Sequence, residues 1–78
     1  MTNKTLEAYI ASPPERDELV VQLFVKDGGQ WGEIFRQEST YKLELYPSTS
    51  AQPWVFDVEE VQAVLEKGIK ELRGRLEE

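Results

Sequence analysis

Leu19-Val20-Val21-Gln22-Leu23-Phe24-Val25-Lys26, followed at once by Asp27-Gly28-Gly29, decides the fold. The first eight residues are aliphatic or aromatic except for Gln22 and Lys26, a composition that suits a pleated, half-buried surface. Side chains alternate across a strand. Leu19, Val21, Leu23 and Val25 therefore share one face, and Val20, Gln22, Phe24 and Lys26 share the other. The Asp-Gly-Gly that follows signals a tight turn, because glycine accepts a positive φ at little cost. The chain is expected to double back into an antiparallel partner.

That partner is 31–37. Its odd positions are Trp31, Glu33 and Phe35; its even positions are Gly32, Ile34 and Arg36. Neither set is cleanly apolar, and Gly32 suggests a bulge that switches the facing of Trp31. Glu38-Ser39-Thr40 is a polar turn. Tyr41, Leu43 and Leu45 then alternate with Lys42, Glu44 and Tyr46 until Pro47 closes the strand. Upstream, Leu6, Ala8 and Ile10 alternate with Glu7 and Tyr9. Ser12-Pro13-Pro14 ends that strand, since proline brings no N–H to a ladder. The polar run Glu15-Arg16-Asp17-Glu18 completes the connection.

Downstream, Pro47 to Pro53 reads as a mobile loop of small and polar residues. Trp54-Val55-Phe56 is either a short edge strand or an apolar lead-in. Asp57 is expected to cap a helix, with Glu60 at the capping-box position. Val58, Val61, Leu65, Leu72 and Leu76 fall on one stripe at helical spacing, flanked by Val64 and Ile69. Gly68 interrupts the stripe, either for close approach to the sheet or neutrally. Glu66–Lys70 and Lys67–Glu71 are spaced to pair on the exposed side. Lys70, Arg73 and Arg75 suit the negative end of the helix dipole. Residues 1–4 and 77–78 are expected to fray. The fold class is α+β: a four- to five-stranded antiparallel meander on one C-terminal helix, in a single domain spanning 1–78.

At 78 residues without cysteine, the core has no disulfide or thiolate metal site to assist it. A second subunit is one way to add stability. The formal charge of −6 repels phosphate backbones, so nucleic acid is disfavoured as a partner. Lys26, Arg36 and Lys42 beside Phe24 and Phe35 are offset by Glu7, Glu33 and Glu44. The longest uncharged stretch, Leu45 to Phe56, is too short and too polar for a membrane span, and Met1-Thr2-Asn3-Lys4 leads into no apolar run of the kind expected of a signal region. A cytoplasmic protein is the default expectation.

No catalytic, cofactor-binding or metal-ligating motif stands out. Histidine is absent, which removes the commonest base near neutral pH and the commonest metal ligand. Glu33 and Glu44 are placed to face each other across neighbouring strands. A domain this small leaves little room for the cleft that paired-carboxylate chemistry needs. A non-enzyme without cofactors is therefore expected.

The candidate interaction face is Tyr9, Val20, Phe24, Phe35 and Tyr46. These fall opposite the residues a single helix would cover, and an open sheet face is ordinarily polar. The 47–53 loop, the N-terminal residues or Trp54 are alternative covers for it. Trp31 and Trp54 are expected to plug the ends of the core, with a small-molecule pocket beside them as the other reading. The expected partner is a protein, and a second copy in a weak homodimer is among the options.

Gln30-Trp31-Gly32-Glu33-Ile34, Leu43-Glu44-Leu45-Tyr46-Pro47 and Trp54-Val55-Phe56-Asp57 are in the general manner of small bacterial domains. In size, charge and element order the chain resembles some toxin-neutralising immunity proteins. That resemblance implies an acidic inhibitor of a basic partner.

Overall fold

A computed structural model describes residues 5–77. Residues 1–4 and 78, for which fraying is expected, lie outside the described residues. Four strands, β1 (Leu6–Ala11), β2 (Val20–Val25), β3 (Gln30–Gln37) and β4 (Thr40–Leu45), precede one helix, α1 (Val58–Leu76). The strands form one antiparallel sheet in sequence order, with β1 and β4 at its edges. The fold is thus α+β, with four strands. Trp54-Val55-Phe56 is the apolar lead-in and pairs with no strand.

Both hairpin turns place a positive φ on a residue other than glycine. At the β2–β3 turn it is Asp27 (φ 58), while no glycine has positive φ. Aspartate tolerates this conformation better than most residues. Gly28 serves another need: a Cβ there would lie 3.1 Å from that of Val25. At the β3–β4 turn Glu38 takes φ 60, and Gln37 pairs with Thr40 to close a two-residue loop.

The register resolves the mixed pattern of β3. Leu23 pairs with Gly32 but Phe24 pairs with Gln30, so Trp31 is the extra residue of a β-bulge. The bulge turns the Trp31 indole into the core, where it is 2% exposed. Gly32 faces the helix side, where a Cβ would meet the Glu44 carbonyl oxygen at 2.8 Å. Phe35 stays on the outer face, opposite Lys42.

The core joins Leu6, Val21, Leu23, Val25, Trp31 and Ile34 to Val64 and Leu72 of α1. The buried line of the helix is Val64, Gly68 and Leu72. This is rotated from the expected stripe, and Val58 is 71% exposed. Gly68 marks close approach: a Cβ there would sit 3.1 Å from Val21 Cγ1 and 3.4 Å from Ile34 Cδ1. The helix begins after Asp57, whose backbone is extended but whose side chain makes no capping bond. Glu59 and Glu60 supply negative charge to the first turn. Among the described residues, ion pairs join Arg16 to Glu33 and Glu44, and Arg36 to Glu18; the Glu–Lys pairs along α1 do not close. Glu77 is held by its N–H to the Arg73 carbonyl (2.8 Å) and accepts the Tyr41 hydroxyl (2.6 Å).

One helix about 10 Å wide cannot span three strand spacings of about 4.8 Å. α1 lies mainly on β1, then on β2. Among the described residues no helix is long and apolar enough to cross a membrane.

Candidate interaction surface

The outer face is covered over part of its area by the β1–β2 connection. The Arg16 guanidinium carbon lies 3.8 Å above the Phe35 ring centroid. Its Nε donates to Glu33 Oε2 at 2.7 Å and its Nη2 to Glu44 Oε1 at 3.0 Å. Glu33 and Glu44 are direct cross-strand partners, so one cation bridges two carboxylates that would otherwise repel each other. The Tyr46 hydroxyl is shared between Glu44 Oε1 (3.2 Å) and Glu33 Oε1 (3.4 Å). Burial first, and then the two carboxylates, push the Tyr46 phenol up to about 12. Glu33, 6% exposed, is a buried acid made tolerable by these bonds.

The five residues expected on an open outer face therefore fare differently. Val20 is 1% exposed, enclosed where Arg16, Asp17 and Phe35 line one hollow with it. The Glu15–Glu18 run provides this cover, which none of the three alternative covers foresees. Phe35 lies under Arg16, and Tyr46 is half-buried within the carboxylate cluster. Tyr9 is 51% exposed and packs on half-buried Phe24 with ring centroids 5.9 Å apart. That aromatic pair is what the expected face leaves open.

Trp31 and Trp54 close one end of the core together with Phe56. Phe56 lies 5.1 Å from Trp31 and 5.7 Å from Trp54 between ring centroids. Trp54 Nε1 donates to the Tyr46 carbonyl at 3.0 Å, which ties the lead-in to the end of β4. The Trp31 Nε1 is buried with no hydrogen-bond partner among the described residues.

A second apolar surface lies on the helix side. Leu43 pairs with Ile34 and Leu45 with Gly32, so both point to the face that carries the core. They are nonetheless 44% and 66% exposed, because α1 lies over the other half of the sheet. The flank of α1 that turns toward β4 is marked by Arg73, whose guanidinium lies 5.1 Å from the Tyr41 ring. At about 100° per residue, Leu65 and Ile69 share that flank. They line a groove with Gln62 and Arg73. Leu43 and Leu45 thus form an exposed apolar strip along β4, which is an edge strand of the sheet among the described residues, and the groove of Leu65 and Ile69 runs along α1. Alternation puts Leu43 and Leu45 opposite Tyr46, on the face that a single helix is expected to cover. The ratio of helix width to sheet width is the signal that exposes them.

Among the described residues no cluster of three or more acids is placed to hold a metal ion. Comparison with protein-family models, curated proteins and solved structures gives no match.

Proposed function

We propose that this domain is a non-catalytic protein-interaction module whose working surface is the β4 edge and the exposed leucines on it. The observation that carries the reading is the exposure of Leu43 and Leu45 on the core-facing side of an edge strand. Exposed apolar patches beside a free strand edge are favoured sites for association. The Arg16 cluster supports the non-catalytic part, because both paired carboxylates are engaged by one guanidinium.

The test is a Leu43→Ser/Leu45→Ser variant. It is expected to keep its circular-dichroism spectrum and melting temperature near those of the parent while losing association. A Tyr9→Ser variant on the outer face is expected to associate normally. The reverse pattern would move the working surface to the outer aromatic pair. An acidic inhibitor of a basic partner is the second reading, favoured by the −6 charge.

A further inference from the structure

We propose that the β4 edge is occupied by a second copy of this chain, paired antiparallel about a two-fold axis through Leu43, so that two four-stranded sheets become one. This rests on the interaction reading above and names its partner. The first argument is the direction of the backbone groups. Tyr46 N–H donates to the Trp31 carbonyl on β3, and Gln37 pairs with Thr40 at the hairpin. Even-numbered residues of β4 therefore bond inward. The N–H and C=O of Tyr41, Leu43 and Leu45 point outward, free to exchange bonds with a new strand.

The second argument is charge complementarity, which selects the register. With the axis through Leu43, Leu43 meets its own copy and Tyr41 meets Leu45. Lys42 then meets Glu44 twice, once on each side of the axis. Moving the axis to Lys42 or to Glu44 places like charges directly opposite each other, which is unfavourable. Moving it to Leu45 brings in Pro47, which has no N–H to give. The other edge has no such register, because β1 carries a single charged residue, Glu7. The Lys42–Glu44 pair is also available: Lys42 is exposed and makes no ion pair among the described residues. Arg16 and Tyr46 both bind Glu44 Oε1, leaving Oε2 for the second copy.

The third argument is the apolar strip that Leu43 and Leu45 expose on the helix side. Paired strands put facing residues on the same side of a sheet, so both helices lie on one side of the joined sheet. The Leu65 and Ile69 flanks then face each other across Tyr41, Leu43 and Leu45 of both copies. The two-fold closes the assembly at two chains, since the complementary edge is used up.

Sedimentation velocity over a concentration series tests this. The parent chain is expected to form a dimer. Lys42→Glu places Glu opposite Glu44 and is expected to weaken the dimer by about tenfold or more; Glu44→Lys should do the same. Mixing those two chains restores opposite charges at both pairs, and a one-to-one heterodimer should form at concentrations where each variant alone is mostly monomeric. A parent that stays monomeric at high micromolar concentration overturns the self-pairing. So does a dimer that survives Lys42→Glu but is lost with Tyr9→Ser. Loss of binding to a different protein through Leu43→Ser/Leu45→Ser, in a chain that is always monomeric, would overturn the self-pairing and leave the interaction reading standing.

Discussion

Arg16 is the residue on which the outer face depends. It holds the β1–β2 connection against Phe35 while neutralising Glu33, and the Glu18–Arg36 pair anchors the end of the same connection. Arg16→Ala would leave a nearly buried carboxylate unpaired, and is expected to lower stability by about 2–3 kcal/mol. Arg16→Ala combined with Glu33→Gln should lose less, because the amide needs no counter-charge. Urea unfolding midpoints of the two variants check this; equal losses would mean that water solvates Glu33 adequately. Tyr46 reports on the same cluster. Its phenol has an ordinary value of 10.0 and is pushed up to about 12 in the folded chain. A raised folded value favours the protonated form, so the stability it reflects is complete below pH 10 and is lost as pH rises toward 12. A spectrophotometric titration should show one tyrosine ionising well after the ordinary range, and Glu44→Gln should bring it back toward that range. At the turns, Glu38 sits at φ 60, where a non-glycine residue is strained by about 1–2 kcal/mol. Glu38→Gly is expected to raise stability by a net of about 0.5–1 kcal/mol after the added freedom of the unfolded chain is counted. A melting temperature that falls instead would point to a role for the Glu38 side chain.

Between Val64 and Leu72, the helix approaches the sheet closely at Gly68, and that contact limits the spacing of the two layers. Gly68→Ala gains about 1 kcal/mol of helix propensity but drives a methyl to 3.1 Å from the stiff, fully packed Val21. The clash is expected to outweigh the gain, with a net loss of about 1 kcal/mol. Gly74, with nothing within 4 Å of a Cβ, is the control: Gly74→Ala should stabilise by about 0.5–1 kcal/mol. Thermal melts of the two variants that move in the same direction would contradict this account of the layer contact. The elements themselves were legible because each is written in local pattern: alternation in 20–25 and 40–45, helical spacing in 58–76, and proline at two strand ends. The β3 bulge was only half legible. Gly32 hinted at it, but the pairing of Phe24 with Gln30 is a cross-strand fact that no single strand contains. The helix phase was less legible still. Val58 belongs to the apolar stripe by spacing, yet which edge of the stripe is buried depends on where the helix lands on the sheet.

For the whole molecule, the candidate site escaped sequence reading for the same reason. Arg16 lies in a polar run that reads as a solvated turn, and only the folded chain brings it over Phe35, 19 residues away in sequence. Leu43 and Leu45 fall on the face a helix would cover, but alternation reports a face and not the extent of its cover. The charge of −6 is legible at once, and at this scale it separates the two functional readings. Two copies meeting along β4 bring together opposite charges at Lys42 and Glu44, but their bodies repel each other over longer distances. Added salt shortens the screening length to about 10 Å at 0.1 M, which removes body-to-body repulsion before it weakens pairs in direct contact. The homodimer is therefore expected to tighten as salt is raised from low to physiological levels. An acidic inhibitor meeting a basic partner must behave in the opposite sense, because the long-range field there is attractive and steers the encounter. Its association rate should fall steeply over the same range. Dimer dissociation constants measured by sedimentation at several salt concentrations decide the first case. A homodimer that instead weakens steeply as salt rises would mean that attraction between the strand charges, and not repulsion between the acidic bodies, governs the encounter.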